Sequence, residues 1–574
     1  MQSSHTLLAP ELREARKRRR HWLALVGFLV MGLGVAALEF RPLQEWVQGM
    51  RSRRMVTKAE ADILGGNIQD AMNKARTAYQ TKPDEPAAIR MVAKVQRLMG
   101  QPASAVSFWK QLVEVGKLKA ADRLPYAEDL LMAGAVGDAS SQIEILLKEN
   151  KNDAAVYRLA TRWAALDGDG ERAREFAKKA FDVNPENQES RLLLATLQLT
   201  SGSKDLCDEA IAALLVLGNE PTREGMEALQ RLGTTRGIAL DVAAKVMESI
   251  RKHPLANEQQ RILAFSIDLA LHPAQKEAML DAEVESYRKA EPSARCAFGL
   301  WLDLHREYER MLTLIPLEEA FKRQDMLRVS LEALTGLRRF DEIVRILEMK
   351  NVPLDIAIKE LYLARTAQES GNATESELHW RRAHLAAAPS PSQMGEIASY
   401  AEKIGRLDEA EKACRSLSVN AHTARVAMEG LLRIAQKRGD MEMLRETLQT
   451  MSERWPQDDS VKNDLAYVSL LMGTDVDKSL ATAKELVSRS PRSLPHRTTL
   501  ALAAIRKNDA AGAISVYKGL HIPWGRVDSR YRAVYAAALG ASGNIAEARA
   551  AVDGLRWEEL RPEEGELVKQ WRKQ

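Results

Sequence analysis

The sequence predicts an all-α protein, a right-handed α-solenoid of about fifteen helix pairs preceded by one N-terminal transmembrane helix. Two patterns carry this prediction: glycines recur at a constant interval along most of the chain, and an uncharged apolar run lies near its start. The composition agrees, because hydrophobic residues make up 45% and aromatic residues only 5% of the 574 residues. Apolar content supplied mainly by Ala and Leu suits many thin helices better than three or four large cores.

Positive charge is concentrated at the N-terminus. Eleven basic and four acidic residues precede residue 59, a net charge of +7, whereas the rest of the chain carries −3. A slightly acidic body argues against binding to a nucleic-acid backbone. Three cysteines in the whole chain exclude a disulfide framework.

Residues 22–38, from Trp22 to Leu38, contain no charged side chain. A helix over them would be about 25 Å long, enough to cross a thin bilayer. Trp22 and Trp46 stand where interfacial aromatic residues anchor a membrane span. We therefore expect a transmembrane signal-anchor, with a cleaved signal peptide and a buried core helix as the alternatives.

Basic residues also set the expected orientation of this span. Six of them fall within residues 13–20, and five are spread over residues 41–58. By the positive-inside rule, the basic segment 1–21 stays in the cytoplasm and the body lies on the periplasmic or other extracytoplasmic side. Residues 39–55 then form a juxtamembrane linker.

Self-similarity is clear beyond residue 58. The 34-residue period is marked by Gly66, Gly100, Gly134, Gly168 and Gly202, and again by Gly371, Gly405, Gly439 and Gly473. Shifted by about one residue, the phase continues at Gly237, Gly336, Asn508 and Gly543. Small residues stand seven before and five after most marks, as Ala59 and Ala71 do around Gly66. Two closely crossing helices need small side chains at those points.

This spacing resembles the tetratricopeptide repeat. The clearest matches are Gly66, Ala71, Ala78 and Pro83, then Gly168, Ala173, Ala180 and Pro185, and the segment 398–410 with Gly405 and Ala410. The resemblance covers nearly all of the chain after residue 55. It implies a stack of helix pairs whose concave surface is lined by the first helix of each pair and binds other proteins.

Two regular stretches and one irregular stretch are expected. Regular repeats should occupy residues 56–254 and 356–574, the latter ending in a C-terminal cap. Residues 255–355 should be irregular, because the joining glycine is missing near His272 and His305. Larger residues also replace the expected small one in this stretch: Glu277, Arg310 and Asp341.

No motif for phosphate, dinucleotide or zinc-protease chemistry is present in the sequence. We therefore expect no enzymatic activity, no cofactor, no metal and no small-molecule substrate. His379 and His384 should face different sides of a helix. Arg172 stands where the sixth position of a calcium loop beginning at Asp167 needs glycine, so residues 167–171 should form a polar turn. Three cysteines are expected to be small packing residues: Cys207, Cys296 and Cys414.

Residues ten, six, three and two positions before each mark should face inward on the first helix. The predicted partner-binding residues are the basic ones at such positions: Arg90, Lys94, Arg97, Arg158, Arg162, Arg365, Arg433 and Lys437. Successive arginines would bind an acidic segment or a C-terminal carboxylate. Alternatively, these cations are solvated and paired with neighbours such as Glu128 and Glu402. Val56 and Glu60 replace the first two groove residues of family members that bind chaperone tails, so that partner is not expected.

The sequence thus predicts a membrane-anchored scaffold for protein-protein interaction, in bacterial cell-envelope assembly or secretion. Two alternatives stay open: an accessory protein for glycan binding or polysaccharide export, and the recruitment subunit of an enzyme complex. Clustered tryptophans would favour glycan binding, but those of the body are dispersed: Trp109, Trp163, Trp301, Trp380, Trp455 and Trp524. The repeat marks leave no room for a separate catalytic domain.

Overall fold

The computed structural model describes residue 22, residues 44–520, residue 522 and residues 524–572. Within these residues the chain is helical without any strand, and most of its helices follow one another in pairs. The chain forms two compact units, one ending at Ala135 and the other beginning at Val136. The predicted all-α class with paired helices is confirmed for this part of the chain.

The first unit contains five described helices. These are α1 (residues 44–64), α2 (Ile68–Thr81), α3 (Pro86–Leu98), α4 (Pro102–Glu114) and α5 (Ala120–Met132). Ala59 of α1 and Ala71 of α2 are both fully buried in the same apolar cluster. These are the two small residues that flank Gly66 in the sequence, so the helices cross where the spacing predicts.

The second unit continues with the same element type. It begins with α6 (Val136–Glu149), α7 (Ala154–Leu166), α8 (Gly170–Val183), α9 (Gln188–Leu199), α10 (Lys204–Leu217), α11 (Arg223–Thr234), α12 (Leu240–Lys252), α13 (Glu258–Leu271) and α14 (Lys276–Arg288). The middle comprises α15 (Pro292–Leu304), α16 (Tyr308–Leu314), α17 (Leu317–Ala320), α18 (Gln324–Gly336), α19 (Phe340–Glu348), α20 (Ile356–Glu369), α21 (Ala373–Ala387), α22 (Pro391–Lys403) and α23 (Leu407–Ser418). The last part comprises α24 (Ala424–Arg438), α25 (Met441–Arg454), α26 (Asp459–Met472), α27 (Val476–Arg489), α28 (Leu494–Arg506), α29 (Ala510–Ser515), α30 (Ser529–Ala541), α31 (Ile545–Asp553) and α32 (Pro562–Val568).

The glycine marks lie at the joints between helices, in the left-handed backbone region. Gly405 has a φ of 77° and Gly439 a φ of 67°, and the other regular marks share the positive sign. An ordinary L-residue loses about 1–2 kcal/mol in this conformation, whereas glycine adopts it freely. The 34-residue period of the sequence is therefore a period of backbone geometry.

The irregular middle departs from this pattern at its joints. Arg306 and Arg338 adopt the left-handed conformation there, with φ values of 59° and 58°. Gly336, which the sequence spacing assigns to a joint, instead ends α18, and a Cβ atom there would lie 2.5 Å from the Tyr308 ring. Packing against Tyr308, and not backbone freedom, therefore requires glycine at this position. The second helices here are short, with 7 residues in α16 and 9 in α19.

Within the second unit, the late helices contact the early ones. Arg489 at the end of α27 donates to both carboxylate oxygens of the buried Asp459, at 2.5 Å. The backbone N–H of Gly137 in α6 donates to the same carboxylate, at 3.1 Å. Asp459 is 322 residues from Gly137 in the chain. We call this cluster of Gly137, Asp459 and Arg489 the return contact.

The turn at residues 167–171 lies in the same region. Asp169 accepts a bond from the backbone N–H of Arg172 at 3.0 Å and so caps α8. Its other oxygen pairs with Arg492 at 3.0 Å. The prediction of a polar turn between two helices is confirmed, and its acidic residues serve packing within the second unit.

No described helix is long and apolar enough to cross a membrane. The predicted span, residues 22–38, lies outside the described residues except for Trp22. The transmembrane helix and the orientation drawn from it therefore stay predictions.

Candidate functional site

Three of the predicted partner-binding residues lie on α3, in the first unit. The Arg90 guanidinium donates to both oxygens of Asp122, at 2.7 and 2.8 Å. Arg97 bonds Glu128 and lies 3.3 Å from the buried Asp129. Lys94 is exposed. Arg90 and Arg97 are thus held by acidic residues of α5, the first helix of the next pair.

Two more of them lie on α7, in the second unit. Arg158 pairs with Glu189 at 3.0 Å, and Arg162 pairs with the other oxygen of Glu189 at 3.2 Å. Glu189 stands in the first turn of α9, again the first helix of the following pair. One acidic residue therefore neutralises two of the predicted groove cations.

The last three predicted residues lie on α20 and α24, and they contact adjacent helix pairs. Arg433 and Lys437 both bond Glu402, with shortest distances of 3.2 and 2.9 Å. Arg365 donates to the Tyr400 hydroxyl at 3.2 Å and lies 3.7 Å from Glu332. Glu128 and Glu402, weighed from the sequence as neutralising partners, thus make these contacts. Seven of the eight predicted groove cations are therefore ion-paired, each within its own unit, and Lys94 is the eighth.

The largest concave site among the described pockets is a cavity of about 780 Å³ in the second unit. It is lined by residues of the first helices α15, α18, α20, α22 and α24, with contributions from α16 and α23. We call it the inner cavity. Its α22 wall includes Gly395, Ser399, Glu402 and Lys403, which stand ten, six, three and two residues before Gly405. The inward register predicted from the sequence thus describes this helix.

Ion pairs connect helices across the inner cavity. Arg328 of α18 pairs with Glu396 of α22 at 2.7 Å. Lys403, also on α22, bonds Glu332 of α18 at 3.1 Å and Asp303 of α15 at 3.0 Å. These partners lie 68, 71 and 100 residues apart in the chain. First helices of pairs that are not adjacent therefore approach one another on the inner side.

Apolar side chains also line the inner cavity. Val329, Leu417 and Ala398 lie on the cavity wall. Leu300 and Val426 lie there too, and they remain 57% and 69% exposed. The inner cavity is therefore an apolar surface with charged groups around it, and part of that surface is open to water.

Two tyrosines make the polar contacts of the wall. The Tyr362 hydroxyl donates to Glu332 at 3.0 Å, and burial, followed by the neighbouring Glu332 charge, raises its pKa well above the usual value. Burial raises the pKa of Tyr400 as well, despite the nearby Arg365 guanidinium. Both hydroxyls therefore stay neutral and serve as fixed hydrogen-bonding groups.

The two cysteines at the inner cavity are unsuited to nucleophilic chemistry. Burial raises the pKa of Cys296 and of Cys414 to about 11 in each case. A thiol in this state is protonated at neutral pH and is a weak nucleophile. Cys414 is buried, in agreement with its predicted packing role, whereas Cys207 and Cys296 are half-buried.

The remaining candidate residues lie apart. His379 bonds Glu360 at 2.6 Å, whereas His384 bonds Glu409 at 2.9 Å, so the two histidines use different partners. Burial alone would raise the pKa of Glu409, but bonds from His384 and Lys412 outweigh it and lower the pKa to about 2. No group of three metal-ligating side chains is brought together within the described part of the chain.

Sequence reasoning missed the cavity-crossing residues Arg328, Lys403 and Glu396. The signal that could have found Lys403 was present, because the inward offsets applied to Gly405 select it. The prediction kept only the basic residues at the inward positions. The apolar and glycine residues at such positions, which form the cavity wall, were therefore missed. Glu396 lies outside those four offsets, and Arg328 fits them only when they are counted from Arg338, the left-handed joint of the folded chain.

Comparison with known proteins adds little. No family model and no curated protein sequence matches this chain. The chain is similar to the crystal structure of the APC/C hetero-tetramer Cut9-Hcn1, with 14% identity over 91% of this chain and 96% of that chain and a TM-score of 0.25. It is also similar to the structure of Naa15/Naa10 bound to HypK-THB, with 12% identity over 91% of this chain and 73% of that chain and a TM-score of 0.21. At these TM-scores the two matches carry no argument about function.

Proposed function

We propose that this chain is a scaffold that binds other proteins on the inner side of its helix pairs, as the tetratricopeptide resemblance implies. One observation carries the proposal: the inner cavity, about 780 Å³ in volume, is an apolar concave surface with ion-paired walls. A large contiguous apolar patch on a protein surface marks a site that a partner covers. Leu300 and Val426 are the large apolar residues that such a partner would cover.

Binding without chemistry suits the groups at this site. Two ion pairs lie on the cavity wall, Arg328–Glu396 and Lys403–Glu332, and the nearby thiols and tyrosine hydroxyls are held in their neutral forms. The exposed His422 also lines the cavity and lies outside these pairs. General acid-base catalysis uses groups whose pKa lies near the working pH. We therefore propose recognition, and no reaction, for the inner cavity.

We further propose that residues 22–38 hold this scaffold at a membrane, with the helix pairs on the extracytoplasmic side and a role in envelope assembly or secretion. The support is the charge distribution, +7 before residue 59 and −3 after it. A phosphatase reporter fused after Gln574 should be active outside the cytoplasm only. Activity of a cytoplasmic reporter at the same position would reverse the topology.

A photo-crosslinking amino acid tests the scaffold itself. We place it at Ser399, which is exposed on the cavity wall, and, as the matched control, at Ser416, which is exposed on the second helix α23. We expect protein adducts from Ser399 and few from Ser416 when the chain is irradiated in its source cells. The same adduct must then form again when this chain and the captured partner are purified and mixed. Equal labelling from both serines would contradict binding on the inner side.

A further inference from the structure

Resting on the proposed function, we infer that the inner cavity binds an α-helix of a partner protein through an uncharged stripe of aliphatic side chains. The predicted occupant, from the basic groove, was an acidic segment. The folded chain favours a different one, for three reasons that concern charge, apolar exposure and the rim.

The first reason is the state of the charged wall residues. Glu332 already holds Lys403 at 3.1 Å, and Glu396 already holds Arg328 at 2.7 Å. Arg433 is likewise held by Glu402 at 3.2 Å. Glu332 and Asp303, the two acids that Lys403 holds, are only 13% and 15% exposed, so a ligand carboxylate that drew Lys403 away would leave two mostly buried acids without this partner. Charge complementarity therefore selects an uncharged surface.

The second reason is the amount of apolar surface left uncovered. Leu300 on α15 and Val426 on α24 are more than half exposed at the two ends of the run of first helices that lines the cavity. A cavity of about 150 Å³ holds one benzene-sized group. The inner cavity, at about 780 Å³, has room for several such groups side by side. An amphipathic helix presents apolar side chains in this way, at positions i, i+3, i+4 and i+7.

The third reason is the rim, which favours a helix over a fatty acyl chain. The Arg328–Glu396 pair is exposed by 39% and 38%, and Arg433 beside it by 55%. Such a polar rim meets the polar flanks of a bound helix, as at other protein interfaces. An acyl chain has no polar flanks to meet this rim.

Gly395 offers a specific way to block the cavity. It lies within α22 on the cavity wall, and a Cβ atom at this position would meet no atom within 4 Å. Gly395→Trp therefore fills the cavity without a clash at the backbone. Gly170→Trp, on the exposed first turn of α8, is the control, since a Cβ atom there meets only the end of the Arg174 side chain at 3.9 Å.

The experiment is a selection of displayed peptides on the full-length chain in detergent, using helix-forming peptides of about 15 residues. We expect the selected peptides to share an aliphatic stripe at i, i+3 or i+4, and i+7. Gly395→Trp should weaken their binding by about tenfold or more, whereas Gly170→Trp should not change it. Circular dichroism checks that each variant keeps its helicity.

Two results would overturn the inference: selected peptides rich in acidic residues, or peptides that bind Gly395→Trp as well as the unchanged chain. A fluorescent fatty acid is tested in parallel, and its displacement from the cavity without any peptide binding would assign the site to lipid instead. If adducts form at Ser399 but the peptides lack the stripe, the scaffold stands and the helix assignment fails. If no adduct forms at Ser399, the scaffold itself fails.

Discussion

Arg158 and Lys403 lie on first helices of the second unit, yet they find their partners at different distances along the chain. Arg158 pairs with Glu189, on the first helix of the neighbouring pair. Lys403 reaches back 71 residues to Glu332 and 100 residues to Asp303. The first contact belongs to the stacking of adjacent pairs, and the second to the closeness of pairs that are not adjacent.

The difference shows that two kinds of interaction hold the second unit. Contacts between neighbours repeat with the sequence period, so each stabilises only its own junction. Contacts across the inner side, and the return contact of Gly137, Asp459 and Arg489, join pairs that stacking alone leaves independent. Removing a long-range contact should therefore loosen helices far away in the chain, whereas removing a neighbour contact should act locally.

The largest effect is expected from Arg489→Met. Asp459 is buried, and burial raises its pKa even with Arg489 beside it, so loss of the guanidinium leaves a buried carboxylate without its main partner. Such a loss costs about 3–5 kcal/mol. Hydrogen exchange, measured by mass spectrometry, should then speed up in α6, whose Gly137 is 322 residues from Asp459. The double variant Arg489→Met with Asp459→Asn should recover part of the protection. Unchanged exchange in α6 of Arg489→Met would show that the return contact does not stabilise this helix.

A neighbour contact in the first unit gives a pH-dependent test. Burial raises the pKa of Asp129 to about 6, although a bond from Trp109 and the charge of Arg97 lower it. The folded chain then binds a proton more tightly than the unfolded chain, so stability should fall as the pH rises from about 4 to about 6, by roughly 1–3 kcal/mol. Asp129→Asn should remove this dependence.

The measurement for Asp129 is hydrogen exchange in α5 at several pH values, corrected for intrinsic rates. Glu128→Gln is the matched control, because Glu128 is adjacent and its side chain is 35% exposed. It should change stability by at most about 1 kcal/mol. Protection of α5 that increases from pH 4 to pH 6 would show the opposite sign and contradict the prediction.

Lys403→Met tests a cavity-crossing contact. Glu332 is 13% exposed and Asp303 15%, so each loses a charged partner in a mostly buried site. Arg365 still lies 3.7 Å from Glu332, which limits the expected loss to about 1–2 kcal/mol. Exchange should increase in both α15 and α22. Arg162→Met, which removes a 60% exposed cation from a neighbour pair, should affect only α7 and α9.

The smallest effect concerns the joints between helices. Arg338 holds a left-handed conformation, so Arg338→Gly should relieve strain and change stability by less than about 1 kcal/mol, in the favourable direction. The reverse exchange, Gly439→Ala, should cost about 1 kcal/mol because it places a Cβ atom in that conformation. Thermal unfolding of both variants measures the two changes in stability, which should have opposite signs. Changes of the same sign would show that the glycine period does not reflect the backbone conformation at the joints.

The sequence by itself determined the helix pairs, their joints and the inward register. These features depend on backbone conformation and on small residues at close crossings, which repeat locally, as at Gly405 and Ala410. Because these features depend on residues close together in the sequence, the 34-residue period was enough to predict them. The same reasoning identified Glu128 and Glu402 as partners of groove cations.

Only the tertiary structure determined the shape and the charge pairing of the inner cavity. Long-range contacts depend on the small rotations that accumulate between many helix pairs, and no sequence interval predicts that total. These contacts are the Arg328–Glu396 pair, the bonds of Lys403 and the return contact. The folded arrangement paired seven of the eight basic residues that the sequence singled out, all with adjacent helix pairs. It also left Leu300 and Val426 uncovered. The cavity has ion-paired walls because residues distant in sequence, such as Arg328 and Glu396, meet only in the folded chain.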